Sequence, residues 1–184
     1  MKKPVLMIHE VYDDIFKIDL EKYTLTFDDG LYSQFYYYHK FKEIKTEKIF
    51  FISTNIICEQ SQSMNFLPCR TAHEKAFTGN KEDYMTLEQI KYLSTEENVF
   101  IGGHSHNHLN IDSFQTLNQK INHIKEDTEI MMKWFNTILE YKPTKFCFPF
   151  NNDAGGFYKF LLYPYGFNEF FSHERIPVET LLHG

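Results

Sequence analysis

The apolar residues of this chain fall into short, nearly unbroken runs separated by polar, turn-rich stretches. Five of these runs, Val5–His9, Tyr23–Phe27, Lys48–Ser53, Val99–Gly103 and Lys145–Phe148, predict strands buried on both faces, as in a parallel sheet. Between them the apolar spacing becomes helical. Thr86 with Gln89 matches a capping box, and Leu87, Ile90, Tyr92 and Leu93 supply the apolar residues of a helix over Leu87–Ser94. A longer helix is predicted over Leu117–Glu140, where Ile121, Ile124, Met131, Phe135 and Leu139 recur near helical spacing before Pro143 stops it. Strand–helix alternation gives an α/β class, with barrel and open sheet left undecided by the pattern. Glu59–Asp83 has few periodic features and is predicted as surface loop, of the kind that borders a substrate site.

Composition narrows the function classes. A length of 184 residues suits one domain, 1–184, with no Pro/Gly/Ser linker to divide it. The formal net charge is -6 and the lysines are scattered, so a nucleic-acid partner is not expected. No stretch approaches a membrane span, and the apolar run Pro4–Ile8 is too short for a signal-peptide core; a cytoplasmic location is expected. Cys58, Cys69 and Cys147 are odd in number and lack CxxC spacing, which predicts neither a disulfide framework nor a zinc knuckle. The aromatic share of 17% mostly fills core, with a minority available to stack on sugar faces.

Two polar clusters sit at predicted strand ends. Asp28-Asp29-Gly30 follows Tyr23–Phe27; two adjacent carboxylates there can diverge, one toward a metal and one toward a proton, although Asp-Gly is also an ordinary turn signal. His104-Ser105-His106-Asn107-His108 follows Val99–Gly103. In a helical turn His104 and His108 share a face and grip one cation while His106 points away; in a continued strand all three share one face. His9 and Pro149-Phe150 also stand at strand ends. In parallel α/β folds those ends face one side, where ligands bind. An Asp with two His leaves coordination positions open, as catalytic metal sites do.

Thr26-Phe27-Asp28-Asp29-Gly30 together with His104-Ser105-x-x-His108 resembles the polysaccharide deacetylase family, the NodB-homology or carbohydrate esterase family 4 domain. Lys48–Ser53, Met85–Ile90, Phe146-Cys147-Phe148-Pro149-Phe150 and Tyr165-Gly166-Phe167 resemble further elements of that family, so the likeness runs from Val5 to Val178. It implies a distorted (β/α) barrel and metal-dependent removal of acetyl groups from N-acetylated sugars. By matching motif positions, Asp29, His104 and His108 are the implied metal ligands and Asp28 the implied base. The backbone N–H near Phe150 is implied as an oxyanion donor. The implied cofactor is a divalent metal, zinc first, with cobalt, nickel or iron as alternatives.

Two positions depart from the family pattern. Cys147 stands where many members carry an arginine that contacts the base, so the orientation of Asp28 must be set in another way. No C-terminal Leu-x-His motif supplies the general acid. A circularly permuted branch, typified by poly-N-acetylglucosamine deacetylases, carries its acid histidine on the first strand in a segment like Val5–Val11, and its ending resembles Arg175-Ile176-Pro177-Val178. His9 is thus the expected acid, ahead of His173 and His183. The expected substrate is an N-acetylated sugar, glycan or sugar nucleotide. The alternatives are hydrolysis of another C–N bond in a small amide, imide or formamide, and a non-catalytic glycan-binding relative.

Overall fold

In the computed structural model, which describes residues 3–182, all five predicted runs are strands of one parallel sheet. They are β1 (Val5–Ile8), β2 (Thr24–Phe27), β3 (Lys48–Ile52), β4 (Val99–Gly103) and β5 (Lys145–Cys147). Two further strands, β6 (Glu169–Phe171) and β7 (Ile176–Pro177), complete a sheet of order β6-β5-β4-β3-β2-β1-β7. β6 and β7 are three and two residues long, too short to leave a period in the sequence.

The connection between these two edges decides barrel against open sheet. β6 and β7 lie at opposite edges, yet only Ser172–Arg175 joins them. A flat seven-stranded sheet would place its edges roughly 29 Å apart at the usual strand spacing. The five residue steps from Phe171 to Ile176 reach roughly 18 Å when fully extended. The sheet must therefore curl until its edges approach, giving the distorted (β/α) barrel.

Alternation along the strands sorts side chains between two layers. Leu25, Phe27, Phe50, Ile52, Ile101 and Phe146 join the main core, together with Ile90, Leu93, Ile124 and Met131 of the surrounding helices. Their neighbours Ile49, Phe51, Cys147 and Phe171 form a separate cluster in the barrel interior. Gly102 faces this interior. A Cβ there would stand 2.5 Å from the Phe51 ring and 2.9 Å from the Lys145 carbonyl, so only glycine lets β4 run this close to its neighbours.

The helices follow their signals closely. Leu87–Ser94 begins with the full Thr86–Gln89 capping box. The long helix runs Leu117–Trp134, opens into a wider π-type turn at Phe135–Leu139, and stops at Glu140 in a left-handed conformation. One expectation needs correcting. Within Glu59–Asp83, predicted as loop, Cys69–Phe77 is a helix that buries Ala72, His73 and Ala76. Its inner face is small and polar, so the sequence showed no apolar stripe. Among the described residues, no helix is long and apolar enough to cross a membrane.

Candidate active site

β2 delivers Asp28 and Asp29 from its C-terminal end, and the chain turns at once through positive φ at Asp29 (75°) and Gly30 (77°). A left-handed conformation is costly for Asp, and such strain collects at functional sites. No hairpin forms, because β2 lies between two parallel neighbours. Gln34 fixes the neighbourhood, its amide donating to the carbonyls of His9 (2.8 Å) and Asp28 (2.6 Å).

β4 delivers the histidines. The segment after Gly103 is neither helix nor strand; Ser105 and His108 both take positive φ, 64° and 52°. Ser105 Oγ accepts from the His108 N–H at 2.9 Å. Asp127, buried on the long helix, accepts from the N–H groups of His106 (2.6 Å) and Asn107 (3.0 Å) and from the Asn107 side chain (2.9 Å). His106 is turned away to meet Thr54 Oγ1 at 2.8 Å.

These two elements bring three donor atoms together. His104 Nε2 and His108 Nε2 each lie 3.0 Å from Asp29 Oδ1 and 3.2 Å from one another. All three residues are buried. The His104 Nδ1–H donates to the Cys147 carbonyl at 2.8 Å, which makes Nε2 the ring nitrogen that can turn a lone pair toward a cation. Asp29 Oδ1 is a buried carboxylate oxygen at which no hydrogen bond is aimed. An anionic oxygen and two imidazole nitrogens at these separations fit a divalent cation such as zinc. Burial acts to raise the Asp29 carboxyl, but His108 and His104 outweigh it and hold it well below the usual carboxylate range.

The site forms the floor of a cleft of about 630 Å³, whose walls include His9, Cys69, His73, Phe77 and Phe150. His9 Nε2 stands 3.9 Å from one oxygen of each carboxylate, Asp28 Oδ2 and Asp29 Oδ2. Phe150, in a left-handed conformation (φ 57°), sets its ring 4.9 Å from that of His108. His173 is exposed and does not line the cleft, and His183 lies outside the described residues.

Comparison with solved structures settles the architecture. No family model matches the sequence, and no curated protein matches it. IcaB from Ammonifex degensii superimposes with a TM-score of 0.71 at 16% identity, over 96% of this chain and 85% of that one. A de-N-acetylase from Aggregatibacter actinomycetemcomitans gives a TM-score of 0.65 at 14% identity, over 95% and 93%. A polysaccharide deacetylase from Bacillus cereus gives 0.65 at 10% identity, over 97% and 65%. The fold is that of the polysaccharide deacetylases.

Within this polysaccharide-deacetylase fold the Cys147 departure has a structural counterpart. Arg175, from the β6–β7 link, reaches into the barrel and holds Asp28 bidentately, with Nη1 to Oδ1 at 2.7 Å and Nη2 to Oδ2 at 2.8 Å. The same guanidinium donates to Thr26 Oγ1, Asn151 Oδ1 and the Ser172 carbonyl, and Nη2 lies 3.1 Å from Cys147 Sγ. Burial works to raise the Asp28 carboxyl; Arg175, aided by His9 and His104, overrides it and holds the group below its ordinary value. The small thiol at position 147 leaves room for an arginine arriving from elsewhere.

The Cys69–Phe77 helix adds two residues that sequence reasoning missed. Cys69 Sγ donates to Asp29 Oδ2 at 2.8 Å; burial and the Asp29 charge push this thiol up, so it remains protonated. His73 places Nε2 3.6 Å from Asp29 Oδ1 and 3.5 Å from His108 Nε2, with Nδ1 hydrogen-bonded to the Tyr84 hydroxyl. Burial lowers His73 to about 4 despite the Asp29 charge, which keeps the ring neutral near pH 7. Their only sequence signal was the spacing Cys69-x-x-x-His73 inside an unperiodic segment.

Proposed function

We propose that the chain is a metal-dependent deacetylase, a single catalytic domain removing an acetyl group from an N-acetylated sugar or glycan. One observation carries this reading. Three cation donors, Asp29, His104 and His108, converge on a cleft floor beside a second carboxylate, Asp28, that an arginine clamps.

Asp29, His104 and His108 would hold the cation, and Asp28 stays free of it to handle the proton. A divalent cation in that position supplies Lewis acidity toward an acetamide carbonyl and makes water a better nucleophile. Asp28, ionised and fixed in orientation by Arg175, accepts a proton from the attacking water. Its lowered pKa makes it a weak base but leaves it almost wholly in the accepting form at neutral pH. His9, within 3.9 Å of both carboxylates and open to the cleft, donates a proton to the leaving amine. The Phe150 backbone N–H offers a hydrogen bond to the oxygen on which charge develops.

The exposed rings of Phe77 and Phe150 on the walls favour a sugar over a small amide, since an aromatic face stacks on a pyranose ring. Metal-loaded protein should release free amine from N-acetylglucosamine oligomers or from UDP-N-acetylglucosamine. Absence of amine release from every acetamido sugar tried, with the cation bound, would overturn the assignment.

A further inference from the structure

We propose that His9, Asp29 and Cys69 form a second cation site, which shares Asp29 with the first and, when a thiophilic divalent cation fills it, switches hydrolysis off. This rests on the metal centre and on the role of His9 proposed above. The two oxygens of Asp29 face different partners. Oδ1 meets His104 and His108 at 3.0 Å each, whereas Oδ2 turns toward Cys69 Sγ at 2.8 Å and His9 Nε2 at 3.9 Å. One ligating atom from each of His9, Asp29 and Cys69 lies within 4.8 Å of the other two. A tetrahedral zinc, with bonds of about 2.3 Å to sulfur and about 2.0–2.1 Å to nitrogen or oxygen, spaces such donors roughly 3.3–3.6 Å apart. The Cys69–Asp29 contact is shorter than this because the thiol proton lies between the two atoms. The His9 contact is slightly longer, and its side chain, 30% exposed on the cleft wall, closes that difference by a small rotation.

The charges around the three donors favour a cation. The Cys69 N–H donates to the Glu10 carboxylate at 3.2 Å, and Arg70 turns away to pair with Glu74. A second cluster of similar chemistry, Asp28, His104 and Cys147, lacks this advantage. There Arg175 donates to both Asp28 oxygens, its Nη2 lies 3.1 Å from Cys147 Sγ, and His104 Nδ1 is engaged by the Cys147 carbonyl. A guanidinium already holds the place a cation would take. At Cys69, binding replaces the S–H bond with a metal–thiolate bond, and the proton leaves to solvent. A thiolate with an imidazole selects zinc or cobalt over magnesium or manganese. Once ligated, His9 Nε2 has given its lone pair to the cation and carries no proton for the leaving amine. The first cation therefore activates and the second inhibits.

The test separates the two sites by their ligands. Co²⁺ is titrated into metal-free wild type, Cys69→Ser and His9→Gln, following visible and near-ultraviolet absorption. In wild type the first equivalent should bring no thiolate-to-cobalt charge-transfer band, and the second should bring one. Cys69→Ser, whose hydroxyl can still donate to Asp29, should bind a single equivalent without the band. His9→Gln should bind the second equivalent at least roughly 10-fold more weakly. Amine release is then followed as Zn²⁺ rises above one equivalent, each protein normalised to its own rate at one equivalent. Wild type should lose about 100-fold, the contribution of a general acid, while Cys69→Ser keeps most of its rate. A single equivalent bound by wild type, a thiolate band that arrives with the first equivalent, or the same band in Cys69→Ser overturns the second site and leaves the Asp29–His104–His108 centre standing. Two equivalents with undiminished turnover overturn the inhibition. Wild type that binds no cation removes both sites. The stoichiometry and the band are read in wild type, so misfolding of a variant does not blunt them.

Discussion

Arg175 holds both oxygens of the Asp28 carboxylate, at 2.7 and 2.8 Å, from 147 residues further along the chain. Both groups are buried, so neither has water to fall back on. Arg175→Ala should leave a buried carboxylate unpaired and cost about 3–5 kcal/mol of stability. Arg175→Lys keeps the charge but not the planar fork, and should recover only part of that loss. Urea unfolding of the two variants measures both effects; equal stabilities for wild type and Arg175→Ala would show that the pair contributes nothing.

The same pair sets an acid dependence. The Asp28 carboxyl is lower in the folded chain than its ordinary value of 3.8. The unfolded state therefore binds the proton first as pH falls. The stability this contributes is complete above the ordinary value and drains away as pH drops from about 4 through the lower folded value. In Asp28→Asn this part of the acid sensitivity should vanish, while Zn²⁺ binding persists and turnover falls by about 100- to 10,000-fold. Thermal unfolding between pH 2 and pH 6, with and without the substitution, reads the first effect; undiminished turnover in Asp28→Asn would remove this residue from the reaction.

His9→Ala should lower kcat on an N-acetylated sugar by about 100- to 10,000-fold with little change in cation affinity. The deficit should shrink on 4-nitrophenyl acetate, whose leaving phenolate departs without a proton. An equal loss on both substrates would assign His9 a role other than protonating the leaving group.

Asp127 never touches the cleft, yet it accepts three hydrogen bonds from the loop that carries His104 and His108. Asp127→Ala orphans those donors and should cost about 1.5–3 kcal/mol. It should also weaken zinc binding, because the left-handed conformation of His108 loses its support. Melting temperature and zinc affinity should fall together; a drop in stability alone would uncouple the loop from the metal site.

Much of the barrel was readable because its central strands are buried on both faces and so spell continuous apolar runs. β3 is buried at every position from Lys48 to Ile52. The capping box Thr86–Gln89 is local chemistry that a four-residue stretch encodes, and the structure adds a second of the same form, Thr116–Gln119, that sequence reading had not singled out. What escaped depends on distant partners. β6 and β7 are strands only because β5 and β1 present unpaired edges to them. Cys69–Phe77 turns its histidine and small residues inward, against polar donors rather than an apolar core, so periodicity had nothing to register. Arg175 was visible as part of a familiar ending, but its target, Asp28, is fixed only by the curl of the sheet. The turn from His104 to His108 depends on two left-handed residues and on Asp127, none of which a spacing rule anticipates.

The four-residue crossing from β6 to β7 also imposes an order in time. A chain emerging from the ribosome carries Asp28, Asp29, His104 and His108 well before Arg175. Until that segment docks, the sheet lacks its β7 edge and Asp28 lacks its counter-charge. Asp28 is thus presented by β2 early, whereas the contact that fixes its orientation comes from the far edge of the sheet. A chain cut before residue 175 should therefore lack the ion pair that orients Asp28.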